Sequence, residues 1–262
     1  MTLIIGIKCS DGIVVGADGA ATFGAMGQST IRQSVRKLNI ISHKIIVGVS
    51  GPVGLAQRFN WRIEELYTEG KLAGKKCPDA MKIMRAALWT DIEGEMKAAA
   101  IARETIGQLA LSSALSSSVV ALPIDKKFAL IQFDQQGAPE EASDSLPFIS
   151  IGSGQPTADP FLAFIRKIFW PDAPPTLEMG IFSTLWTLEH AIETNPGGVA
   201  NPIQIMVLEK DGKDFKAREL ESAHLEEHFE AIHEAESVLK NFRDATIGPP
   251  APSKPPPPSP PA

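Results

Sequence analysis

The 262-residue sequence is poor in cysteine: Cys9 and Cys77 are the only two, with neither a CxxC spacing nor a paired framework. A disulfide-stapled secreted scaffold is thereby excluded, and a reducing compartment fits better, with both thiols expected to be ordinary buried groups. No apolar run approaches the roughly 20 residues a membrane-crossing helix needs, and Met1-Thr2-Leu3-Ile4-Ile5 lacks the positive segment that opens a signal peptide. Lysine and arginine form no stripe that could track phosphates, and the net charge is -6. These absences set the expectation of a cytoplasmic protein with neither membrane nor nucleic acid as partner. What is present is a hydrophobic content of 44%, enough for a large core.

The opening reads as strands over residues 2–8, 13–18 and 44–50, with Asp11-Gly12 turning the first two into a hairpin. The polar, glycine-bearing stretch 19–34 reads as a loop, feeding a short strand within 35–41. From Pro52 the apolar spacing becomes helical, with Leu55, Phe59, Ile63 and Leu66 on one face, and a second helix is expected over 79–106. Strand character returns at 116–122, 127–133 and 148–151. Helices follow at 157–169 and 177–194, then a strand at 203–209. Hairpins interrupted by helix pairs predict two packed sheets covered by helices on their outer faces. After Lys210-Asp211-Gly212-Lys213 a charged helix is expected over 217–243, and 248–262 is almost entirely Pro, Ser and Ala, with no means of forming a core. The expected organisation is a main domain over 2–213, a helical extension over 214–247 and a tail over 248–262.

Thr2 gains chemical meaning if the peptide bond to Met1 is cut. The freed residue would carry a hydroxyl and an α-amine with an ordinary pKa of about 7.7–8.0, so nucleophile and base would sit on one residue. By itself a Met-Thr opening says little. Its surroundings say more: Thr2-Leu3-Ile4-Ile5-Gly6-Ile7, Asp11-Gly12-Ile13-Val14-Val15-Gly16-Ala17-Asp18, Arg36-Lys37-Leu38, Val47-Gly48-Val49-Ser50-Gly51 and Ile151-Gly152-Ser153-Gly154. In these motifs and their order the chain resembles the β subunits of the proteasome and the bacterial HslV peptidase, over roughly residues 2–209 with a slightly longer 24–35 loop. The resemblance implies an α+β fold, the four-layer αββα sandwich of N-terminal nucleophile hydrolases, which agrees with the order of elements.

Carried over position by position, the resemblance implies Thr2 as nucleophile, Lys37 as the positive charge beside its oxygen, and Asp18 as the carboxylate orienting that lysine. Strand alternation allows only one of Arg36 and Lys37 inside, and the family match selects Lys37. Gly51 matches the glycine whose N–H faces the developing oxyanion, and Ser153 the serine beside the terminal amine. The family also carries an acidic residue and a serine at the end of its fourth helix. Here Glu193 is a longer substitute for the first, and no serine precedes Gly197-Gly198. Matched positions Ala21, Val35, Val49 and Val53 imply an apolar, medium-sized side-chain pocket, with substrate held as an added strand.

One rival motif is present. His224-Leu225-Glu226-Glu227-His228 has the HxxEH spacing of a metallopeptidase group, but it lies in a charged helix with no third ligand apparent downstream. It reads as an amphipathic helix packing through Leu225, Phe229 and Ile232. The expectation is therefore a threonine endopeptidase needing neither cofactor nor metal, acting on peptides or unfolded protein within a homo-oligomeric stacked ring, with an unfoldase as candidate partner. Alternatives are a non-catalytic ring subunit and a small-amide N-terminal nucleophile amidohydrolase.

Overall fold

A computed structural model describes residues 2–25, 28–107, 114–195 and 198–248, and side chains within them apart from 22–32, 105 and 106. Strands β1 (Ile4–Lys8), β2 (Gly12–Ala17), β10 (Phe148–Ile151), β11 (Gln204–Asp211) and β12 (Asp214–Glu219) form one antiparallel sheet in the order β10-β1-β2-β11-β12. Strands β5 (Leu38–Ile41), β6 (Ile45–Ser50), β7 (Ser117–Ile124), β8 (Lys127–Phe133) and β9 (Pro139–Glu141) form a second in sequential order. Helices α1 (Val53–Thr68) and α2 (Cys77–Ile106) cover the second sheet. Helices α3 (Gln155–Phe169), α4 (Leu177–Thr194) and α5 (Ser222–Thr246) lie on the side of the first.

Period-two alternation explains the layers, because successive strand residues face opposite sides. In β1 and the residue before it, Leu3, Ile5 and Ile7 join the helix-facing core, whereas Ile4 lies between the sheets. In β6, Ile45, Val47 and Val49 face α1 and α2, whereas Ile46 points inward. Strands buried on both faces read as continuous apolar runs, as in Ile205-Met206-Val207-Leu208, where Ile205 and Val207 face helices and Met206 and Leu208 the other sheet. The result is the expected α+β sandwich of four layers, αββα.

Helix α4 rests closely on β2 because two glycines there leave room. A Cβ on Gly16 would overlap the Thr184 and Ile205 side chains, and one on Gly12 the Leu177 side chain. The helix start is fixed by side chains: Thr176 Oγ1 accepts from the Met179 N–H at 3.4 Å, and Asp11 Oδ1 from the Leu177 N–H at 2.8 Å.

Three segments differ from expectation. The stretch read as a loop over 19–34 contains β3 (Ala20–Ala25) and β4 (Gln28–Ser34), paired as a separate two-stranded ribbon with Ala20 opposite Ser34. A ribbon outside both sheets is under no demand for an apolar face, so its sequence carries no alternation. Residues 217–219, expected to be helical, belong to β12, which pairs with β11 from Met206↔Glu219 to Asp211↔Asp214. β12 ends the sheet, and the charges that suggested a helix are those an edge strand uses to discourage further pairing. Strand β9, short and headed by Pro139, is also an edge and was not anticipated. The tail beyond residue 248 lies outside the described residues.

Candidate active site

Thr2 lies two residues before β1, and the antiparallel pairing of β1 with β10, Ile4 opposite Ile151, brings the 152–154 turn against it. The Gly154 N–H donates to the Thr2 carbonyl at 3.1 Å, and the Thr2 N–H donates to Ser153 Oγ at 3.1 Å. In the chain with Met1 attached this nitrogen is an amide, able to donate but unable to act as a base. Gly152, at φ 99°, passes so near the Thr2 carbonyl that a Cβ there would overlap it and stand 3.1 Å from Ser50 Oγ. Only glycine fits both that backbone region and that approach.

Asp18 directly follows β2 and is fully buried, with 0% exposure. Its carboxylate is completely engaged. Oδ1 accepts from the Leu3 N–H at 2.8 Å and from Lys37 Nζ at 2.6 Å. Oδ2 accepts from the Ala20 N–H at 3.2 Å and the Ala200 N–H at 3.3 Å. The Asp18 N–H in turn donates to the Leu3 carbonyl at 3.1 Å. One carboxylate thus joins the residue after Thr2, the base of the β3–β4 ribbon, the segment before β11 and the lysine before β5. Since the Lys37 ammonium and the Leu3 N–H share an oxygen, the cation is a near neighbour of the amide linking Thr2 to Leu3.

Lys37 is 9% exposed, whereas adjacent Arg36 points outward to an ion pair with Glu219. The backbone of Lys37 is held by a residue that sequence reading passed over. Buried Gln204, at the start of β11, accepts through Oε1 from the Lys37 N–H at 2.9 Å and the Leu38 N–H at 3.4 Å. The available signal was a lone amide heading the apolar run Ile205-Met206-Val207-Leu208, since a polar side chain there must find partners. Gly152 was likewise within a quoted motif without a role of its own.

Gly51 directly follows β6 at φ 147°, and a Cβ on it would stand 2.7 Å from the Ser116 Cβ. It is joined to the Thr2 cluster through Ser50, whose hydroxyl flanks Gly152. The four pocket positions do not share one environment in the single chain: Ala21 and Val35 are half-buried, Val49 packs under α1, and Val53 is 56% exposed at the start of α1. Glu193 is exposed near the end of α4, and its charge bears on Glu189. Among the described residues, Ser153 is the only side-chain partner of the Thr2 nitrogen. Pro196 and Gly197, in the segment expected to support that nitrogen, lie outside the described residues.

The cysteines offer no competing nucleophile. Burial raises the Cys9 thiol pKa, with the Asp11 charge adding to it. Cys77, half-buried, is pushed up to about 12 by burial and by its hydrogen bond to Glu141. Both are protonated at neutral pH.

Among curated proteins no match is found. Solved structures with the same fold include Anbu (ancestral beta-subunit) from Yersinia bercovieri, with 14% identity, a TM-score of 0.65 and coverage of 92% of this chain and 96% of that one. Anbu from Hyphomicrobium sp. strain MC1 aligns with 16% identity, a TM-score of 0.61 and coverage of 94% and 97%. A Gly-1 mutant of the Hyphomicrobium protein gives 15%, 0.62, 91% and 96%. At these identities the likeness concerns the fold. The family description Proteasome subunit matches residues 2–164, more than half of the chain and all the site residues named above up to Ser153, so the protein belongs to the proteasome subunit family.

Proposed function

We propose that the chain is a threonine-type peptidase subunit whose nucleophile is Thr2 once the Met1–Thr2 bond is cut. The observation that carries this reading is the shared Asp18 oxygen, which ties the Lys37 ammonium to the Leu3 N–H beside Thr2. A buried cation held there favours the alkoxide over the hydroxyl and favours the neutral form of a nearby amine. Ser153 Oγ supplies an orienting partner for that amine.

In the proposed reaction the amine takes the proton of Thr2 Oγ, directly or through a water, as the oxygen attacks a peptide carbonyl. The Gly51 N–H faces the oxyanion of the tetrahedral intermediate. Collapse breaks the C–N bond, the amine nitrogen of the leaving peptide receives the proton, and an ester to Thr2 remains. Water, deprotonated by the same α-amine, hydrolyses the ester and restores the threonine. Substrate is a peptide or unfolded chain lying as an added strand between the β3 segment and Ser50-Gly51, with its side chain toward Ala21, Val35, Val49 and Val53. The assembly is a homo-oligomeric stacked ring in the cytoplasm, with an unfoldase as candidate feeder and no cofactor.

A non-catalytic ring subunit is the second reading. It is favoured by the sparse support of the Thr2 nitrogen, where Ser153 is the one side-chain partner among the described residues and Glu193 is exposed. Intact mass after incubation with a peptide boronate separates the two. The peptidase reading expects loss of Met1 and an adduct that survives Thr2→Ser and vanishes in Thr2→Ala. Retained Met1, or an adduct unaffected by Thr2→Ala, would sink it.

A further inference from the structure

Outside the threonine site, and beyond the matched residues 2–164, the structure assembles the ligands that the HxxEH spacing lacked. His224 and His228 lie one helical turn apart near the start of α5, their rings 5.8 Å between centroids. Both Nε2 atoms face the same carboxylate, that of Glu178 in the first turn of α4: His228 Nε2 is 3.2 Å from Oε2 and His224 Nε2 is 4.0 Å from Oε1. One ligand atom from each of the three residues lies within 4.8 Å of the other two. A search downstream of the histidines could not find this carboxylate, because it precedes them by a strand hairpin and most of a helix.

We propose that Glu178, His224 and His228 form a zinc site that clamps helix α5 to the start of α4. Tetrahedral zinc with bonds of about 2.0–2.1 Å holds its ligand atoms about 3.3 Å apart, so small rotations of three side chains convert the observed cluster into a coordination shell. Two imidazoles and one carboxylate suit zinc and leave a fourth position for water. The framework is fixed on both sides. Thr176 and Asp11 hold the first turn of α4, and Ile232, fully buried one further turn along α5, seats that helix with Leu225 and Phe229 against the core. Only Ile232 of α5 is fully buried, so a metal bridge here would add a strong tether to a lightly anchored helix.

The test uses the full chain without a polyhistidine tag, dialysed against EDTA and titrated calorimetrically with zinc chloride, with magnesium chloride as control. One zinc per chain is expected, with no response to magnesium and with slower amide exchange over residues 222–246 in the zinc-bound form. Glu178→Gln and His228→Ala should each weaken binding about tenfold or more. His233→Ala, an exposed histidine on the same helix, should leave it unchanged. Glu178 is exposed, so its substitution reads ligation without threatening the fold. Absence of saturable zinc binding, or affinity unchanged in both Glu178→Gln and His228→Ala, would overturn the proposal.

Discussion

Lys37 and Arg36 are adjacent and each meets a carboxylate, yet they belong to different worlds. The Lys37–Asp18 pair has side chains 6% and 0% exposed and a carboxylate that accepts four hydrogen bonds. The Arg36–Glu219 pair, at the edge formed by β12, has side chains 64% and 40% exposed. Water solvates the second pair whether or not it forms, whereas the first has exchanged water for a fixed set of protein donors. A buried pair contributes little net stability over an apolar substitute but is costly to break, because one partner is left charged without compensation. What burial supplies at Thr2 is therefore position, a cation whose place is set by four separate segments of chain.

The sharpest way to break this contrast is Asp18→Asn, which keeps the volume, removes the charge and turns an amide donor toward other donors. A loss of about 3–5 kcal/mol in urea unfolding is expected, against the small cost of charge removal at the rim. Adding Lys37→Met should recover part of that loss, since the double variant leaves neither charge unpaired. A loss in the single variant no larger than that of a surface substitution would mean that water reaches the ammonium, and the contrast would fail.

The next effect concerns rate. Under the proposed mechanism, Lys37→Met should lower peptide hydrolysis by about 10²–10³-fold, on the scale of removing one group that stabilises developing charge. Arg36→Met should leave it unchanged. Rates per folded molecule, with folding checked by circular dichroism, make the comparison. Equal losses in the two variants would remove the distinction between inside and outside.

Gly152→Ala should follow in size, because its methyl would overlap the Thr2 carbonyl at a φ that L-residues avoid. About 1–3 kcal/mol of strain is expected. Its signature should be concentrated at Thr2, as a boronate adduct forming more slowly than the stability loss accounts for. A variant with wild-type stability and adduct rate would show that the 152–154 turn is not what places the threonine.

The parts of this arrangement legible in sequence were those carried by short-range pattern. The first hairpin was read from its apolar runs and the Asp11-Gly12 turn, helical spacing put Leu55, Phe59, Ile63 and Leu66 on the buried face of α1, and Arg36 and Lys37 had to part company. The roles proposed for Asp18, Lys37 and Ser153 came from family motifs, and the structure sets those residues around Thr2 and Leu3. What sequence hid was long-range and polar. Gln204 reaches Lys37 across the sheet, Glu178 meets two histidines from another helix, and the β3–β4 ribbon and β12 owe their form to pairing partners, not to an apolar face. Charge misled at β12 because an exposed helix and an edge strand both need it.

The smallest expected effect tests the other side of the contrast. In a double-mutant cycle on Arg36→Ala and Glu219→Ala, the coupling energy should be about 0–1 kcal/mol and should shrink as salt rises from low to physiological strength. The pair joins the segment before β5 to β12, so it spans the two sheets, a placement that suggests structural importance. Exposure argues otherwise, since each side chain loses rotamer freedom to form the pair and keeps most of its water when the pair is absent. Urea unfolding of the four proteins measures the coupling. A value of several kcal/mol, insensitive to salt, would mean that the rim is shielded as the floor is, and the most direct source of such shielding would be a neighbouring subunit packed over β12.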